Sequence, residues 1–362
     1  MDLNSIDKVL HSHPAFRLAQ ARKAVFCDLV EDWHDVTSLP KDVRVTLAKD
    51  CPLQIEATMQ TSADGQTNKA AITFTDGENV GVQSLDFARD DIEPLHSRPA
   101  VAVKEQGDVV ETVLMRYPDR NTVCVSSQVG CAMGCDYCAT GQMGFTRDLT
   151  AAEMVEQVIF FARILKRENK RVSNVVFMGM GEPFLNYDNV MAAIDILNDK
   201  NGLNIGSRHI AISTCGIVEG IKKLAEESKQ VSLAISLNAP NDKLRSELMA
   251  VNKQYPLKEV LRAVDAYIAK TKRKVMFEYL MIAGVNDSIA EAKALAKIMA
   301  RPLYMVNLIP YNFTGKYKSS SATQIQKFRD VLVAAGIYTT QRKRFGRGIK
   351  AACGQLAATQ NS

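Results

Sequence analysis

The sequence lacks any long hydrophobic segment. Nowhere in its 362 residues does an apolar run approach the ~18 residues that a membrane-spanning helix needs, so no membrane span is expected. The first residues, MDLNSIDK, contain neither the basic region nor the apolar region of a secretory signal, which argues against export. Repeats and low-complexity tracts are also missing. We therefore expect a globular protein of the reducing cytoplasm.

A strong charge of one sign is missing as well. The chain has 45 Lys and Arg residues against 40 Asp and Glu residues, and its net charge of +5 permits an anionic partner without demanding one. Hydrophobic residues make up 46% of the chain, which is ordinary for a globular protein. Eight cysteines without an export signal indicate metal-binding or catalytic thiols and not a disulfide framework.

Three of these cysteines, Cys131, Cys135 and Cys138, form a C-x₃-C-x₂-C motif. Thiolates hold iron–sulfur clusters, and a four-iron cluster normally takes four of them. Three cysteines would leave one iron free to bind another molecule. The alternative is a structural zinc site with Cys124 as the fourth ligand. Zinc knuckles usually contain two C-x₂-C or Cys/His pairs, and this chain has one such pair. The motif favours a [4Fe–4S] cluster.

The chain is long enough for one large domain with an appended module, and its pattern predicts four segments. They are a helical module at 1–52, a β-rich extension at 53–117 with an inserted loop at about 80–108, an α/β core at 118–336 and a C-terminal segment at 337–362. A hairpin is expected near residues 55–74, where turn residues separate two runs of strand-forming residues.

Strands and helices alternate in the predicted core. The expected strands are 122–126, 172–178, 209–213, 231–237, 275–281 and 305–309, with helices that include 150–168, 188–197, 257–270 and 289–300. Thr150 and Glu153 form the capping box that starts the first of these helices. Six strands with crossover helices predict a parallel sheet, which binds ligands at the carboxyl ends of its strands.

The cysteine motif follows the first core strand, and Met-Gly-Met-Gly-Glu-Pro at 178–183 follows the second. Small residues would let the backbone approach a ligand closely, and Glu182 would offer a carboxylate to a cation. Alone, the segment could equally be a tight turn. Beside the three cysteines it resembles the glycine motif with which radical S-adenosylmethionine (SAM) enzymes receive the SAM ammonium group.

Together, the runs at 124–131, 178–183, 307–312 and 351–356 resemble the RlmN/Cfr family of radical-SAM RNA methyltransferases, and the similarity extends from about residue 10 to 358. These enzymes modify adenosine in 23S rRNA and, in one branch, in tRNA. The resemblance implies a partial (βα)6 radical-SAM barrel with an N-terminal helical accessory module and a small β-rich extension. It also implies two SAM molecules per turnover, an electron donor such as flavodoxin or ferredoxin, and a monomer.

The resemblance further assigns roles to single residues. Cys353 matches the cysteine that carries a methyl group, Cys124 the cysteine that resolves the protein–RNA crosslink as a transient disulfide, and Glu111 the proton acceptor. Each has an ordinary alternative, since buried cysteines and solvated glutamates are common. The implied SAM contacts are Gly181, Glu182, Ser213, Ser236, Leu237, Asn238 and Asn312.

Two positions depart from the common family spelling. Asn238 stands where many members have His, and Cys215 stands where Ser is frequent. Asn keeps a side-chain donor and acceptor, so SAM binding is expected to be retained. We expect Cys215 to be a small packed residue.

A basic cluster precedes Cys353 and could either coat a solvated surface or hold RNA phosphates: Arg342, Lys343, Arg344, Arg347 and Lys350. Methylation at C2 of adenosine in 23S rRNA and tRNA is the leading hypothesis, and C8 methylation by the Cfr branch shares every catalytic motif. A radical-SAM enzyme for a peptide or small molecule, and a zinc-stabilised RNA-binding module, are the remaining alternatives.

Overall fold

A ten-stranded mixed sheet organises the fold, as seen in a computed structural model that describes residues 3–74, 107–343 and 345–357. The predicted insertion at about 80–108 lies almost wholly outside the described residues. The strands are β1 Ala57–Thr61, β2 Thr67–Phe74, β3 Asp108–Arg116, β4 Asn121–Val125, β5 Gln128–Gly130, β6 Phe145–Asp148, β7 Asn174–Phe177, β8 Ile210–Thr214, β9 Ser232–Ser236, β10 Val275–Met281, β11 Tyr304–Pro310 and β12 Thr339–Gln341.

The parallel part of the sheet contains β4, β7, β8, β9, β10, β11 and β12, in that order. Its first six strands are the six predicted ones, which confirms the α/β class and the partial barrel. They read as apolar runs because both of their faces are covered. The seventh, β12, was not predicted; its three residues, Thr-Thr-Gln, are too few to show an alternating pattern, and within the described ranges they pair with β11 alone.

The β-rich extension continues the same sheet in antiparallel fashion. β1 and β2 form the predicted hairpin, with Ala57 opposite Ile72, and Gly65 adopts a left-handed φ of +67° in its turn. β3 pairs with β2 on one side and with β4 on the other, where Val113 lies opposite Cys124. The extension and the barrel therefore share one continuous surface, while the segment boundaries stay predictions.

Helices cover the sheet, and the four that the sequence named are found within one residue at each end. The set is α1 Leu3–Leu10, α2 Ala15–Phe26, α3 Lys41–Asp50, α4 Ala139–Met143, α5 Ala151–Arg167, α6 Tyr187–Asn198, α7 Val218–Glu226, α8 Asp242–Leu248, α9 Leu257–Thr271, α10 Ile289–Met299 and α11 Ala322–Ala334. The capping box of α5 is present as predicted. None of the helices in the described ranges is long and apolar enough to cross a bilayer.

The N-terminal module is helical, as predicted, and it packs on α5. Trp33 is fully buried and donates from Nε1 to Cys51 O at 2.7 Å. Arg163 of α5 donates to Leu53 O at 2.7 Å and to Val30 O at 2.6 Å. These bonds tie the module to the outer layer of the barrel, away from the carboxyl ends of the strands.

Candidate active site at the carboxyl ends of the parallel strands

The cysteine motif lies in the loop at 131–138, between the short strand β5 and helix α4, and we call it the cysteine loop. The short strands β5 and β6 pair with each other and close the base of this loop. Cys131 N donates to Gly144 O at 2.7 Å. A side chain on Gly130, whose φ is +74°, would lie 2.0 Å from Gly144 O, so glycine is required there. The paired strands β5 and β6 give the loop with the three cysteines a fixed base beside the main sheet.

The three thiols of Cys131, Cys135 and Cys138 are the predicted ligands of the cluster. Cys135 is buried, and burial raises its pKa to about 12; Cys131 is raised well above its ordinary pKa for the same reason. Within the described ranges, no group of three His, Cys, Asp or Glu side chains is placed so that it could hold a metal, and this includes the three cysteines of the motif. Cys124 belongs to strand β4 and not to the loop, so the zinc alternative gains no support.

The glycine motif turns between β7 and a 3-10 helix, Pro183–Asn186. A Cβ on Gly181, at φ +98°, would lie 2.6 Å from Cβ of Gln128, so the glycine serves close packing against β5. Glu182 is buried: Oε1 accepts from Phe184 N at 3.0 Å and Oε2 from Cys215 N at 2.7 Å. Burial raises the pKa of this carboxyl. Its two oxygens link the ends of β7 and β8 and keep lone pairs for a ligand.

Ser213 and Ser236 stand at the ends of β8 and β9, with their Oγ atoms 3.5 Å apart. Ser213 Oγ donates to Oε2 of Glu278 at 2.7 Å, and Oε1 of Glu278 accepts from Nη1 of Arg342 at 3.4 Å. Glu278 was not predicted as a site residue. The signal was available, because it is the one charged residue in the strand Val-Met-Phe-Glu-Tyr-Leu-Met. This buried carboxylate joins the serine pair to the C-terminal segment.

Asn238 has a left-handed φ of +59°, a conformation that Asn tolerates better than most residues. Its Oδ1 accepts from Leu280 N at 2.9 Å, and its Nδ2 donates to the hydroxyl of Tyr137 at 2.7 Å. Tyr137 lies between Cys135 and Cys138 in the cysteine loop. The side chain of Asn238 therefore holds this loop against the end of β9, while the preceding Leu237 is fully buried.

The C-terminal segment docks on the cysteine loop. Ala139 N donates to Gly354 O at 2.8 Å, and Thr140 Oγ1 donates to Leu356 O at 2.6 Å. Asn312 Nδ2 donates to Cys353 O at 3.3 Å, whereas its Oδ1 is buried with no hydrogen-bond partner. An unpaired buried acceptor is costly, so this atom indicates a ligand donor at the site, as a bound SAM would supply.

Cys124 and Cys353 line one cleft of about 570 Å³, part of it open to solvent, together with Asn312, Met178 and Arg342. Cys353 as a residue is partly exposed to solvent, at the rim of this cleft. Desolvation by the surrounding protein raises the pKa of Cys124 to about 12 and that of Cys353 to about 11, and the Arg342 guanidinium opposes both shifts. Both thiols are therefore protonated at neutral pH.

Glu111 lies beside this cleft on the same face of β3 as Val113, which lines it. Its carboxylate is buried; Oε1 accepts from Lys69 Nζ at 2.6 Å, and Oε2 accepts from Ala357 N at 2.7 Å. The expected proton acceptor is thus also an anchor for the C-terminal segment. Its pairing with Lys69 on the neighbouring strand was not predicted, because the two residues are 42 positions apart.

The basic cluster does not point in one direction. Arg342 turns into the cleft, where its guanidinium contacts Glu278, and its part in holding RNA phosphates stays a prediction. Lys343 is exposed, with Nζ 3.4 Å from Gln66 Oε1, and Lys350 is exposed as well. Arg344 and the side chain of Arg347 lie outside the part of the chain that the structure describes.

Comparison with known proteins places this site in a family. Residues 125–296 match the Radical SAM superfamily. A Dictyoglomus thermophilum protein named "Probable dual-specificity RNA methyltransferase RlmN" is 40% identical over 361 residues, which are 99% of this chain and 95% of that protein. A protein of the same name from Caldicellulosiruptor saccharolyticus is 50% identical over 252 residues, which are 69% of this chain and 72% of that protein.

A solved structure agrees with these relatives. The radical SAM methyltransferase from Sphaerobacter thermophilus is 41% identical, has a TM-score of 0.86, and the match covers 98% of this chain and 97% of that one. Membership of the superfamily implies a [4Fe–4S] cluster and SAM as cofactors, in agreement with the donor set of the cysteine loop. The chain belongs to the RlmN family of radical SAM RNA methyltransferases.

Proposed function

We propose that the enzyme methylates C2 of adenosine in 23S rRNA, in the peptidyl-transferase region, and in the anticodon loop of tRNA. The observation that carries the proposal is the shared cleft of Cys124 and Cys353, beside the cysteine loop on which the C-terminal segment docks. Two thiols in one cleft are what methyl transfer through a cysteine and its resolution by a second cysteine require. The relatives are named dual-specificity RNA methyltransferases, which supports RNA as the substrate and more than one kind of target.

Each cofactor would be held by residues already described. Cys131, Cys135 and Cys138 would bind the cluster and leave one iron for SAM. SAM would contact Gly181, Glu182, Ser213, Ser236, Leu237, Asn238 and Asn312, of which Asn312 offers the unpaired Oδ1. When bound, the cluster and SAM together supply a 5′-deoxyadenosyl radical.

The chain itself would perform the transfer. Adenine C2 is unactivated, so it would be attacked by a carbon radical, formed when the 5′-deoxyadenosyl radical takes a hydrogen atom from the methyl group on the sulfur of Cys353. Addition of this radical would form a carbon–carbon bond to C2, and loss of the ring proton and of one electron, which the cluster would take back, would complete the crosslink. Glu111 would accept the ring proton, and its ion pair with Lys69 holds the carboxylate beside the cleft. Attack of Cys124 on the sulfur of Cys353 would then release the methylated RNA and leave a disulfide. The first SAM supplies the methyl group and the second the radical, which gives two per turnover.

The identity of the product tests this proposal. Protein reconstituted without oxygen is incubated with SAM, a reductant and unmodified rRNA or tRNA, and the digested RNA is chromatographed against 2-methyladenosine and 8-methyladenosine standards. We expect 2-methyladenosine from both RNAs. The 8-methyl product would support the Cfr-type alternative, and product from rRNA alone would remove the tRNA part. The electron donor, the monomeric state and the cytoplasmic location stay predictions.

Two controls separate the enzyme from its alternatives. The Cys353→Ala variant keeps all three cluster cysteines, so it should retain the iron of the wild type and yield no methylated RNA. Turnover of a peptide or small molecule by this variant would favour the small-molecule alternative. Zinc without iron in competent wild-type protein would contradict the cluster.

A further inference from the structure

A second cavity adjoins the cleft. It encloses about 680 Å³, part of it open to solvent, and its lining includes Tyr311, Asn312, Phe313, Tyr317, Lys318 and Gln355. Asn312 lines both the cleft and this cavity, so the two share a wall. The cavity lies in the loop that follows β11, at the end of the sheet where the cysteines are found. We call it the aromatic chamber.

Phe313 is the unusual residue of the aromatic chamber. Its exposed fraction is 69%, the highest among the large hydrophobic side chains of the described ranges. Its carbonyl accepts from Gln355 Nε2 at 2.9 Å, and Gln355 Oε1 accepts from Ala352 N at 3.4 Å. Gln355 therefore connects Phe313 to both sides of Cys353. An apolar ring left in water this close to the methyl carrier indicates a surface that a partner covers.

The loop that carries Phe313 is anchored to the cysteine loop. Thr314 Oγ1 lies 2.6 Å from the Tyr311 hydroxyl and donates to Tyr137 O at 3.0 Å. Lys316 Nζ forms an ion pair with Asp136 at 2.5 Å. These bonds fix the backbone on both sides of Phe313, so the ring is presented from a firm support.

We propose that the aromatic chamber binds the unpaired nucleotide next to the adenosine that is methylated, with its base stacked on Phe313. The inference rests on RNA as the substrate. An adenosine that is extruded into the cleft leaves its neighbour unstacked, and aromatic side chains bind such bases through their faces. Lys318 is exposed at the chamber and supplies a cation for the adjoining phosphate.

The lining favours a nucleotide over an apolar protein partner. Asn312, Lys318 and Gln355 add amide groups and a positive charge to the lining of the chamber, which suits a base edge and a phosphate.

A double-mutant cycle between protein and RNA tests the proposal. Dissociation constants are measured by fluorescence anisotropy for anaerobic holoenzyme and a labelled RNA hairpin that carries the target adenosine. The same hairpin is made with an abasic site on the 5′ or the 3′ side of the target. Loss of one base–aromatic stack should weaken binding on the order of 10-fold, so we expect this for Phe313→Ala and for one of the abasic RNAs. That abasic RNA should bind Phe313→Ala no more weakly than the intact RNA does.

Three controls complete the design. Phe313→Tyr keeps an aromatic face and should bind like the wild type. Tyr338→Ala removes another exposed aromatic, 62% exposed, before the start of β12 at the opposite end of the strands, and should not change binding. Lys318→Gln should lower the salt dependence of binding by about one phosphate contact. Iron content and circular dichroism confirm that each variant is folded.

Independent, additive losses for Phe313→Ala and both abasic RNAs would overturn the inference, as would unchanged binding by Phe313→Ala. Its failure is separable from that of the proposed function. If the wild type forms 2-methyladenosine but the cycle is additive, only the aromatic chamber is refuted. If the wild type forms 8-methyladenosine but the cycle is non-additive, only the C2 assignment is refuted.

Discussion

Replacement of Thr140 by Val tests whether docking of the C-terminal segment controls the methyl carrier. Thr140 Oγ1 donates to Leu356 O at 2.6 Å, and both residues are buried. Valine has nearly the same shape as threonine, so the change removes the hydrogen bond without opening a cavity. The bond from Ala139 N to Gly354 O and the bond from Ala357 N to Glu111 remain. The segment should therefore stay folded but detach more often.

The size of the effect follows from the buried carbonyl of Leu356. A buried acceptor that loses its partner costs about 1–3 kcal/mol in the docked state, and in the detached state water satisfies it. The population of detached segment should then rise about 5–150-fold. Amide hydrogen exchange of a peptide that covers residues 350–357 reports this opening directly.

The matched control is Thr271→Val. Thr271 Oγ1 donates to Tyr267 O at 2.8 Å at the end of α9, remote from the cleft. This variant also loses one threonine-to-carbonyl bond but should leave exchange at 350–357 unchanged. The cluster content of Thr140→Val should equal that of the wild type, while its kcat for RNA methylation falls. If residues 350–357 of Thr140→Val exchange their amide hydrogens at the wild-type rate, the docking argument is refuted.

Three further predictions concern the cleft. Cys124→Ala should accumulate RNA covalently attached to Cys353, detected as a shifted band on denaturing gels; only free RNA under turnover conditions would contradict the resolving role. Arg342→Met removes the charge that lowers the pKa of both thiols, so both pKa values should rise, and alkylation of Cys353 at pH 8 should be slower than in the wild type or in Arg342→Lys. In the wild type, the rate of Cys353 alkylation should grow about tenfold per pH unit below the Cys353 pKa of about 11. Lys69→Met leaves the Glu111 carboxylate buried without its cationic partner and should lower the free energy of unfolding by about 3–5 kcal/mol. Part of this loss should be recovered in the double variant Lys69→Met/Glu111→Gln. Equal urea midpoints for the wild type, Lys69→Met and the double variant would oppose the ion-pair argument.

The barrel could be predicted because its signals are local. Buried parallel strands are continuous apolar runs between helices, and β10 was found at its predicted bounds, 275–281. β5 and β6 were missed, since strands of three and four residues carry too few positions for a period. Their pairing depends on Gly130 and Gly144 meeting across the cysteine loop, a contact that no short window of sequence contains.

The candidate site also has one part that local sequence could predict and one part that it could not. Cysteines and glycines in fixed spacing could be located by motif, and they lie at the ends of β4 and β7. The roles of Glu278 and Thr140 could not be predicted from a motif, because the partners of these residues are distant in sequence. Arg342 is 64 residues from Glu278, and Leu356 is 216 residues from Thr140. Arg342 shows the consequence. Its neighbours suggested a surface cation, whereas its contacts make it part of the cleft.

These distant contacts explain how one short segment can serve two thiols. Glu278 fixes the Arg342 guanidinium from the barrel side, and the same guanidinium acts on the pKa of both Cys124 and Cys353. Since the two thiols share one cation, a change at Arg342 should alter the pKa of both, and with them the two steps that we propose for Cys353 and Cys124. A change at Thr140 should instead act on the position of Cys353, because Cys124 belongs to the sheet and does not move with the C-terminal segment. The two variants thus separate the electrostatic control of the cleft from its mechanical control.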